Sequence, residues 1–335
     1  MNLYEDSLYV EDLRAVCNEK LPWKQLEGKT VVLTGGTGLL GRFLVDVLME
    51  KNSLGLNCTI ILLGRSEEKA AGVFSKWWGN RHLRFILYDV NKPSDINQIE
   101  QVNYVIHLAS NTHPIQYATD PIGTITANVV GLNHMLEFAE KKGACRFLFA
   151  SSNEIYGENR GDVELFDEKY CGYIDSNTLR AGYPESKRCG EALCQAYREQ
   201  KNLDVVIARF TRTFGPTMQF TDSKAISQFI KRGASKQDIV LKSKGTQQYS
   251  VTYVADAVFG LLVVLLKGEN GEAYNIADIS SNVLLREFAE IVAKACGKEV
   301  IYEAPDAIEA KGYSKATKAL LNGEKIVKRS EEQHV

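Results

Sequence analysis

The sequence lacks any long apolar run and any excess of charge of either sign. Its longest apolar stretch, residues 257–266, is far short of the about 20 residues that a membrane-spanning helix needs, so no membrane partner is expected. Lysine and arginine total 40 against 42 aspartates and glutamates, and this net charge of −2 predicts no nucleic-acid-binding surface. Residues 1–27 carry acidic residues early and have no sustained apolar core, so we expect no signal peptide.

Paired-cysteine motifs are also missing. The cysteines are odd in number and never spaced as Cys-x-x-Cys, which is typical of reduced thiols and argues against disulfides or a zinc site. They are Cys17, Cys58, Cys145, Cys171, Cys189, Cys194 and Cys296. We therefore expect a cytoplasmic protein without a bound metal.

Strand and helix patterns alternate along the first two thirds of the chain. Apolar runs that suit buried parallel strands cover residues 30–33, 59–63, 83–88, 104–108, 146–150 and 205–210. Helical patterns between them cover residues 40–51, 123–142 and 183–200. The alternation predicts an α/β fold, a Rossmann-type doubly wound parallel sheet with helices on both faces.

The pattern loosens after residue 210, which divides the chain into three predicted parts. Residues 1–27 form an N-terminal extension, in which residues 8–21 suit one amphipathic helix packed on the body. Residues 28–210 form the dinucleotide-binding Rossmann domain. Residues 211–335 form a smaller, mainly substrate-binding α/β region, from which residues 251–266 are expected to return to the Rossmann domain. In that region helical patterns cover residues 226–232, 254–266 and 285–296, and a strand pattern covers 274–276.

A glycine-rich turn joins the first predicted strand to the first predicted helix. Residues 34–41 read Thr-Gly-Gly-Thr-Gly-Leu-Leu-Gly, in the strand–turn–helix context that a dinucleotide-binding loop requires. Gly35 suits the tight turn, Gly38 lets the backbone approach a pyrophosphate, and Gly41 allows close packing of helix on strand. The helix N-terminus supplies N–H groups and a positive dipole end for the anion. The predicted cofactor contacts here are Gly35, Thr37, Gly38, Leu39, Leu40 and Gly41.

The second predicted strand ends without the acidic residue that NAD enzymes place against the ribose hydroxyls. The chain reads Gly64-Arg65-Ser66 at this point, and Arg65 suits either a 2′-phosphate or stacking on adenine. A solvated surface arginine explains Arg65 nearly as well, so NAD and NADP both stay open. Further cofactor contacts are expected after the third and fourth strands, at Asp89, Val90, Leu108, Ala109 and Ser110, and later in the chain at Tyr183 and Lys187.

Three later residues supply the parts of an alcohol-oxidising site. Ser152 follows the strand at 146–150, at the carboxyl end where open α/β sheets build their sites. Tyr183 opens a helix, and Lys187 lies one turn on, on the same face. The lysine charge is expected to lower the pKa of Tyr183 from its usual ~10. The phenol would then take a proton from a sugar hydroxyl, held by Ser152, while a nicotinamide takes hydride from the same carbon. The alternative is an ordinary helix surface.

Together these motifs resemble the extended short-chain dehydrogenase/reductase family, which contains nucleotide-sugar epimerases, dehydratases and decarboxylases. The resemblance extends from Lys29 to about Leu321 and is carried by residues 34–41, 107–109, 150–157, 183–187, 209–216, 253–256, 274–276 and 314–316. It implies a tightly held nicotinamide, NAD or NADP, that oxidises C4 of a nucleotide sugar and later reduces the product. It also implies a homodimer formed through the helices at 123–142 and 183–200.

Within that family the chain is most similar to the UDP-glucuronate decarboxylases, notably at residues 170–188 and 214–218. Glu154 lies where those enzymes and the dehydratases carry a glutamate, which implies that it moves the C5 proton once C4 is a ketone. The alternative is a carboxylate held structurally beside Tyr156. Asn153 lies where sugar 4,6-dehydratases carry an aspartic acid, and an amide cannot protonate a leaving hydroxyl. Asn153 is therefore expected to contact the substrate, and dehydration at C6 is disfavoured.

Two residues depart from the family pattern. Arg212 lies where relatives usually carry a substrate-binding asparagine, and Tyr249 lies where many carry an arginine for the diphosphate. Arg212 could supply the positive charge that relatives carry at the position of Tyr249, or the substrate could differ from theirs. A structural ion pair would explain Arg212 equally well. Both residues are candidate substrate contacts.

Two other functions stay open besides that of an enzyme that transiently oxidises a nucleotide sugar. A dinucleotide-binding sensor without turnover is one, although such proteins typically lose the tyrosine or the lysine that this chain keeps. A simple reductase of a sugar or other carbonyl, which exchanges NADP at every cycle, is the other, and Arg65 suits it. Neither the nucleotide base nor the sugar can be read from these residues.

Overall fold

The computed structural model describes residues 3–93, 96, 98–305 and 317–332, so the resemblance at 314–316 lies outside the described residues. The α-helices of the described residues are α1 (Ser7–Asn18), α2 (Leu39–Ser53), α3 (Glu67–Val73), α4 (Pro114–Thr119), α5 (Pro121–Lys141), α6 (Gly182–Lys201), α7 (Ala225–Ala234), α8 (Val254–Lys267), α9 (Leu285–Cys296) and α10 (Glu324–Glu331). Their strands are β1 (Thr30–Thr34), β2 (Thr59–Gly64), β3 (Leu83–Leu87), β4 (Tyr104–His107), β5 (Arg146–Ser152), β6 (Val205–Phe210), β7 (Arg212–Phe214), β8 (Ile239–Leu241), β9 (Gln248–Tyr253), β10 (Ala273–Ile276), β11 (Asn282–Leu284), β12 (Val300–Tyr302) and β13 (Lys318–Ala319). Across those residues, no helix combines the length and the apolarity needed to cross a membrane.

The centre of the molecule is a seven-stranded sheet in the order β10-β6-β5-β4-β1-β2-β3, in which every neighbouring pair is parallel. Alternate residues of a strand serve opposite faces: Val31 and Leu33 pack in a core with α1, α2 and α8, whereas Val32 packs in a core with α5 and α6. The strand order reverses between β1 and β4, which opens a crevice at their carboxyl ends. The predicted α/β doubly wound fold is confirmed.

Local capping explains where the long helix α5 begins. Pro121 occupies its first turn, and the Asp120 side chain accepts a hydrogen bond of 3.0 Å from the backbone N–H of Gly123. Proline is tolerated there because the N–H groups of the first turn have no intrahelical partner. The helix therefore starts two residues before the predicted 123–142.

The N-terminal extension folds back onto the Rossmann sheet. Helix α1 packs against α2 and α8. It ends at Asn18, before the predicted residue 21, because Glu19 is extended and Pro22 follows. Leu13 and Val16 are buried beneath it.

The C-terminal region builds its own small core on short strands. Strand β9 pairs with β7, β11 and β13, and β8 pairs with β12. Helices α7 and α9 pack on each other, whereas α8 packs on α2 and β6 of the Rossmann part. The short elements α3, α4, β7 to β9 and β11 to β13 were not predicted, because two to seven residues carry little periodicity.

Candidate active site

One cavity of about 1210 Å³ lies at the carboxyl ends of the Rossmann strands, between them and the C-terminal region. Its lining includes every residue that the sequence assigned to cofactor, substrate or catalysis. These are Gly35, Thr37, Gly38, Leu39, Leu40, Gly41, Arg65, Asp89, Val90, Leu108, Ala109, Ser110, Ser152, Asn153, Glu154, Tyr183, Lys187, Arg212 and Tyr249. Residues separated by more than 200 positions in sequence therefore face a common space.

The glycine turn between β1 and α2 forms one end of this cavity. Gly35 has φ +74°, and a Cβ at this position would lie 2.7 Å from the carbonyl carbon of Leu108. A Cβ on Gly41 would overlap the backbone of Gly35 and Gly36, so α2 can only approach the turn this closely with glycine there. Gly38 is the N-cap of α2. This cradle fits the phosphates of a dinucleotide.

The C-terminal region holds the glycine turn by two side-chain hydrogen bonds. Thr217 Oγ1 donates to the carbonyl oxygen of Leu39 at 2.8 Å, and Gln219 Nε2 donates to that of Thr37 at 3.0 Å. Neither Thr217 nor Gln219 was singled out as a site residue from the sequence, because nothing local relates them to a turn about 180 residues away. A bound dinucleotide would therefore be enclosed by both parts of the chain.

A buried histidine fixes the ends of β1 and β4 against each other. His107 Nδ1 lies 2.9 Å from Thr34 Oγ1, and that hydroxyl oxygen also accepts the backbone N–H of Ala109 at 3.2 Å. Complete burial, with a smaller contribution from the charge of Lys187, lowers the pKa of His107 to about 3. The imidazole is therefore neutral at physiological pH and serves to position the backbone of the cavity wall.

The two serines at the end of β5, Ser151 and Ser152, have different hydrogen-bond partners. Ser151 Oγ donates to Glu191 at 2.5 Å, and the carboxylate of Glu191 also pairs with Arg209 behind the site. Ser152 hydrogen-bonds with Tyr183, which opposes the rise in the pKa of that phenol. Ser152 is thus the hydroxyl beside the phenol.

Lys187 does not act on Tyr183 in the expected way. Its Nζ donates to the carbonyl oxygen of Ala150 at 2.7 Å and lies 6.0 Å from the centre of the Tyr183 ring. Burial lowers the pKa of Lys187 to about 7, which weakens the cation that was expected to lower the pKa of Tyr183. The pKa of Tyr183 is instead raised, mainly by burial and then by the negative charge of Glu154. The expected lowering is therefore wrong for this state of the protein, because desolvation outweighs the charge.

A second layer of residues surrounds Tyr183. Glu154 Oε2 pairs with Arg180 Nη2 at 2.6 Å, and the Arg180 guanidinium lies 4.7 Å from the centre of the Tyr117 ring. Tyr117 in turn stacks on Tyr183 with 4.8 Å between ring centroids. Neither Tyr117 nor Arg180 was predicted as a site residue. The position of Arg180 three residues before Tyr183 was a usable signal, whereas Tyr117 on the short helix α4 had none.

The two departures from the family pattern meet in the structure. The Arg212 guanidinium carbon lies 3.3 Å from the centre of the Tyr249 ring. Strands β7 and β9 pair with Arg212 opposite Val251, so Tyr249, two residues earlier on β9, points to the same face. Arg212 Nη1 is buried and has no hydrogen-bond partner among the residues that the structure describes. A cationic N–H group that is buried without an acceptor beside a cavity suits an anionic ligand.

Comparisons with known proteins agree with this geometry. Residues 31–277 match the model of the NAD dependent epimerase/dehydratase family. UDP-glucuronic acid decarboxylase 1 of Xenopus tropicalis is 30% identical over 295 residues, which cover 86% of this chain and 66% of that protein. UDP-glucuronic acid decarboxylase 2 of Arabidopsis thaliana is 32% identical over 266 residues, or 79% of this chain and 57% of that protein. The chain thus spans less than two thirds of the length of these relatives.

Solved structures share the fold. A dTDP-glucose 4,6-dehydratase double mutant from Streptomyces venezuelae, with NAD and DAU bound, superposes with a TM-score of 0.78 at 22% identity and covers 91% of this chain and 92% of that one. At this level of identity the likeness establishes the architecture alone.

Proposed function

Because the chain belongs to the NAD dependent epimerase/dehydratase family, we propose that it oxidises the C4 hydroxyl of a nucleotide sugar transiently and restores it after changing the sugar. The observation that carries this proposal is the convergence of Ser152, Tyr183 and Lys187 in one cavity with the glycine turn. A bound nicotinamide would accept the hydride from C4 and later return it.

The chain's own residues provide the acid–base part of the first step. Tyr183 would take the proton of the C4 hydroxyl, and Ser152 would hold the same oxygen by a hydrogen bond. Lys187, fixed by the carbonyl of Ala150, lies one turn from Tyr183, and its charged form would oppose, without reversing, the rise that burial causes in the pKa of the phenol. Stacking of Tyr117 on Tyr183 keeps water from one face of the phenol ring.

Decarboxylation of a UDP-glucuronate-like substrate is the outcome that we favour. Once C4 is a ketone, the sugar is a β-keto acid, because its carboxylate is attached to C5. When the bond from C5 to the carboxylate breaks, carbon dioxide leaves and the electron pair of that bond stays on the sugar as a C4–C5 enolate. The enolate then takes a proton at C5. Glu154, paired with Arg180, lies close enough to Tyr183 for its charge to affect that phenol, and it would relay a proton from water to C5 of the enolate. The curated relatives named as UDP-glucuronic acid decarboxylases support this choice. Epimerisation and dehydration are the other outcomes.

We assign the substrate's anionic diphosphate to Arg212. Its Nη1 is buried and has no hydrogen-bond partner in the described part of the chain, and its stacking on Tyr249 orients the planar guanidinium in the cavity wall. A guanidinium binds phosphate oxygens through two parallel hydrogen bonds, which a lysine cannot do. The neighbouring Asn153 would contact the sugar.

The dimer and the cellular location belong to the same proposal. Helices α5 and α6 pack on each other, and α5 leaves Ile122, Ile125 and Val130 exposed. A second copy of the chain would cover these side chains, so we expect a homodimer in sedimentation experiments, and a monomer at working concentration would contradict it. All seven cysteines are free thiols, which supports a reducing, cytoplasmic location.

The proposal is tested by incubating the purified protein with a panel of UDP-, dTDP-, CDP- and GDP-sugars and analysing products by mass spectrometry. Loss of carbon dioxide from UDP-glucuronate is the expected result. Loss of water would indicate dehydration, and a new stereoisomer of equal mass would indicate epimerisation. No change across the panel would overturn the proposal.

Glu154→Gln sharpens this test. The amide cannot move a proton, so we expect C4 oxidation to proceed and the following step to fail, with reduced cofactor accumulating in absorbance. The matched control is Glu158→Gln, because Glu158 is exposed and does not line the cavity. A Glu154→Gln enzyme that completes the reaction at the normal rate would make Glu154 structural.

The second candidate is a reductase that exchanges NADP at every cycle, and the observation in its favour is Arg65 at the end of β2. It predicts stoichiometric consumption of free NADPH by a ketone substrate. The transient-oxidation mechanism predicts no net consumption of cofactor.

A further inference from the structure

A histidine–aspartate pair lines the cavity beside the two stacked tyrosines. His113 is the N-cap of α4, and Asp222 lies in the segment that precedes α7. His113 Nδ1 lies 3.2 Å from Asp222 Oδ1, and both residues line the cavity. The pair therefore joins the Rossmann part to the C-terminal region at the site itself.

The charge of Asp222 decides which nitrogen of His113 carries the hydrogen. Burial raises the pKa of Asp222, but its hydrogen bonds with His113 and Lys224 and the charge of Lys224 outweigh burial and hold that pKa well below its usual range. An ionised carboxylate can only accept, so Nδ1 donates and the neutral imidazole keeps a lone pair on Nε2. Among the described residues, none forms a hydrogen bond with Nε2.

Tyr117 lies close both to this pair and to the catalytic phenol. Its backbone N–H donates to the carbonyl oxygen of His113 at 3.2 Å, which places the two residues one turn apart at the start of α4. Burial raises the pKa of Tyr117, and the charge of Asp222 is among those that raise it further. The ring of Tyr117 stacks on that of Tyr183, and a hydrogen bond between the two opposes the rise in the pKa of Tyr183.

The protonated state of Tyr183 requires a neighbour that can take a proton. Burial raises the pKa of Tyr183, so its phenol is protonated when a substrate arrives. A protonated phenol can accept the proton of the C4 hydroxyl only if it passes its own proton on. Lys187 Nζ is bonded to the carbonyl oxygen of Ala150 and lies 6.0 Å from the centre of the phenol ring. Tyr117 is in direct contact with that ring.

We propose that His113, oriented by Asp222, is the end of a proton relay that runs from Tyr183 through Tyr117. As hydride leaves C4 for the nicotinamide, the hydroxyl proton passes to Tyr183, the proton of Tyr183 passes to Tyr117, and that of Tyr117 passes to Nε2 of His113. The products are the C4 ketone and an imidazolium that faces the carboxylate of Asp222. The same transfers run backwards when C4 is reduced. The inference rests on the proposed function, because it needs a C4 hydroxyl that is oxidised.

Two simpler roles would give His113 the same contacts. A structural pair would only hold α4 against the C-terminal region, and an added base could not replace it. A substrate contact would change KM rather than kcat. A relay lowers kcat, because an imidazole is a group that exchanges protons near neutral pH.

The main test is His113→Gln, which keeps a donor for Asp222 but has no basic nitrogen. With UDP-glucuronate, or the sugar of the panel that reacts, we expect kcat to fall roughly 10- to 100-fold with KM nearly unchanged. Tyr117→Phe keeps the stacked ring and should give a fall of similar size. His82→Gln is the matched control, because His82 does not line the cavity, and it should leave both constants unchanged.

Rescue by free imidazole separates a relay from a structural role. His113→Ala leaves space for the added base, which should raise kcat of this variant roughly tenfold. Imidazole should not raise kcat of Tyr117→Phe, since the middle of the relay is missing there.

Nitrogen-15 NMR of the histidine side chains tests the relay without turnover. The chain has five histidines, so the signals that disappear in His113→Gln belong to His113. We expect a hydrogen on Nδ1 and a lone pair on Nε2 at neutral pH. A hydrogen on Nε2 in the resting protein would overturn the relay.

The outcomes separate this inference from the proposed function. Wild-type kcat in His113→Gln, a change in KM alone, or a folded His113→Ala enzyme that imidazole does not rescue would overturn the relay. The proposed function would then stand, since the wild-type protein converts a sugar of the panel. A negative sugar panel would overturn the proposed function and the relay together.

Discussion

Two buried polar clusters in this molecule are built from similar parts, each from one carboxylate and two tyrosines. In the first, the N-terminal extension meets α2: Asp46 is completely buried and accepts hydrogen bonds from Tyr4 at 2.9 Å, Tyr9 at 2.5 Å and Trp77 at 2.8 Å. In the second, Glu154 pairs with Arg180 beside the stacked rings of Tyr117 and Tyr183.

The difference between the clusters is what surrounds the carboxylate. Asp46 is sealed and accepts from three neutral donors; burial raises its pKa, and the hydrogen bonds, with the smaller effect of the Arg42 charge, oppose that rise. Among the described residues, Glu154 pairs with the cation of Arg180, and it lines the cavity, where a substrate can compete for it. A sealed and satisfied cluster stabilises the fold, whereas an open one can exchange protons. Four substitutions test this distinction.

The largest effect is expected for Tyr183→Phe. Loss of the phenol hydroxyl removes the proton acceptor for C4 oxidation, so turnover should fall by about 10³-fold or more, with dinucleotide affinity nearly intact. Product analysis and dinucleotide titration check the two halves of this prediction. Tyr9→Phe is the control from the sealed cluster and should keep full turnover per folded molecule. An active Tyr183→Phe enzyme would refute the role of the phenol.

Asp46→Ala should cost the most stability. It leaves the buried donors of Tyr9 and Trp77 without their acceptor, whereas the Tyr4 hydroxyl keeps the carbonyl oxygen of Val73 at 3.3 Å. We therefore expect the free energy of unfolding to fall by roughly 3 kcal/mol, with kcat of the folded fraction unchanged. Urea unfolding measures the loss. Asp46→Asn keeps one acceptor oxygen and should lose less. A loss below about 1 kcal/mol for Asp46→Ala would mean that the cluster is not a determinant of stability.

Lys187→Met should abolish activity and should also change how the free energy of unfolding depends on pH. Burial lowers the pKa of Lys187 to about 7 from 10.5, so between these values the unfolded chain binds more protons than the folded one. The cost of burying the charge is therefore present below pH 7 and is relieved as pH rises toward 10.5. Over this range we expect the free energy of unfolding of the wild type to increase by up to about 1.4 kcal/mol per pH unit.

The methionine variant lacks this slope and should also lack activity. Urea unfolding of both proteins across that pH window measures it, since all other groups titrate alike in the two chains. Parallel stability curves would show that Lys187 stays charged in the folded protein.

The smallest effect is expected for Tyr4→Phe. It removes one of the three hydrogen bonds to Asp46 and should reduce the free energy of unfolding by about 1 kcal/mol. Tyr173→Phe is the control, because Tyr173 is largely exposed, and it should change nothing measurable. If the Tyr4 and Tyr173 substitutions have the same effect, the extension does not contribute through Asp46.

Much of the fold could be predicted because its signals are local. Each of the six predicted Rossmann strands is present with ends that differ by at most two residues, since a buried parallel strand is a short apolar run with clear boundaries. The segment at 254–266 could be recognised as a helix, but its packing on α2 depends on distant residues. The short strands β7 and β8 had no comparable pattern.

The residues of the candidate site likewise fall into those that could be predicted from the sequence and those that could not. Ser152, Tyr183 and Lys187 could be placed by their position after a strand and by the spacing of one helical turn. The contact of Tyr117 with Tyr183 could not, because helix α4 is only six residues long and its position depends on the packing around it. Arg212 and Tyr249 were recognised singly as departures, whereas their stacking on paired strands required the structure.

The sequence by itself determined the parts that depend on neighbours in the chain: the strand–turn–helix that cradles phosphates, the hydroxyl after β5, and the phenol and ammonium on one helix face. The tertiary structure decided which of two serines contacts Tyr183, which cation pairs with Glu154, and the direction of the pKa shifts of Tyr183 and Lys187. The reason is physical. Desolvation and charge are sums over everything that surrounds a group, and those surroundings come from segments far apart in the chain.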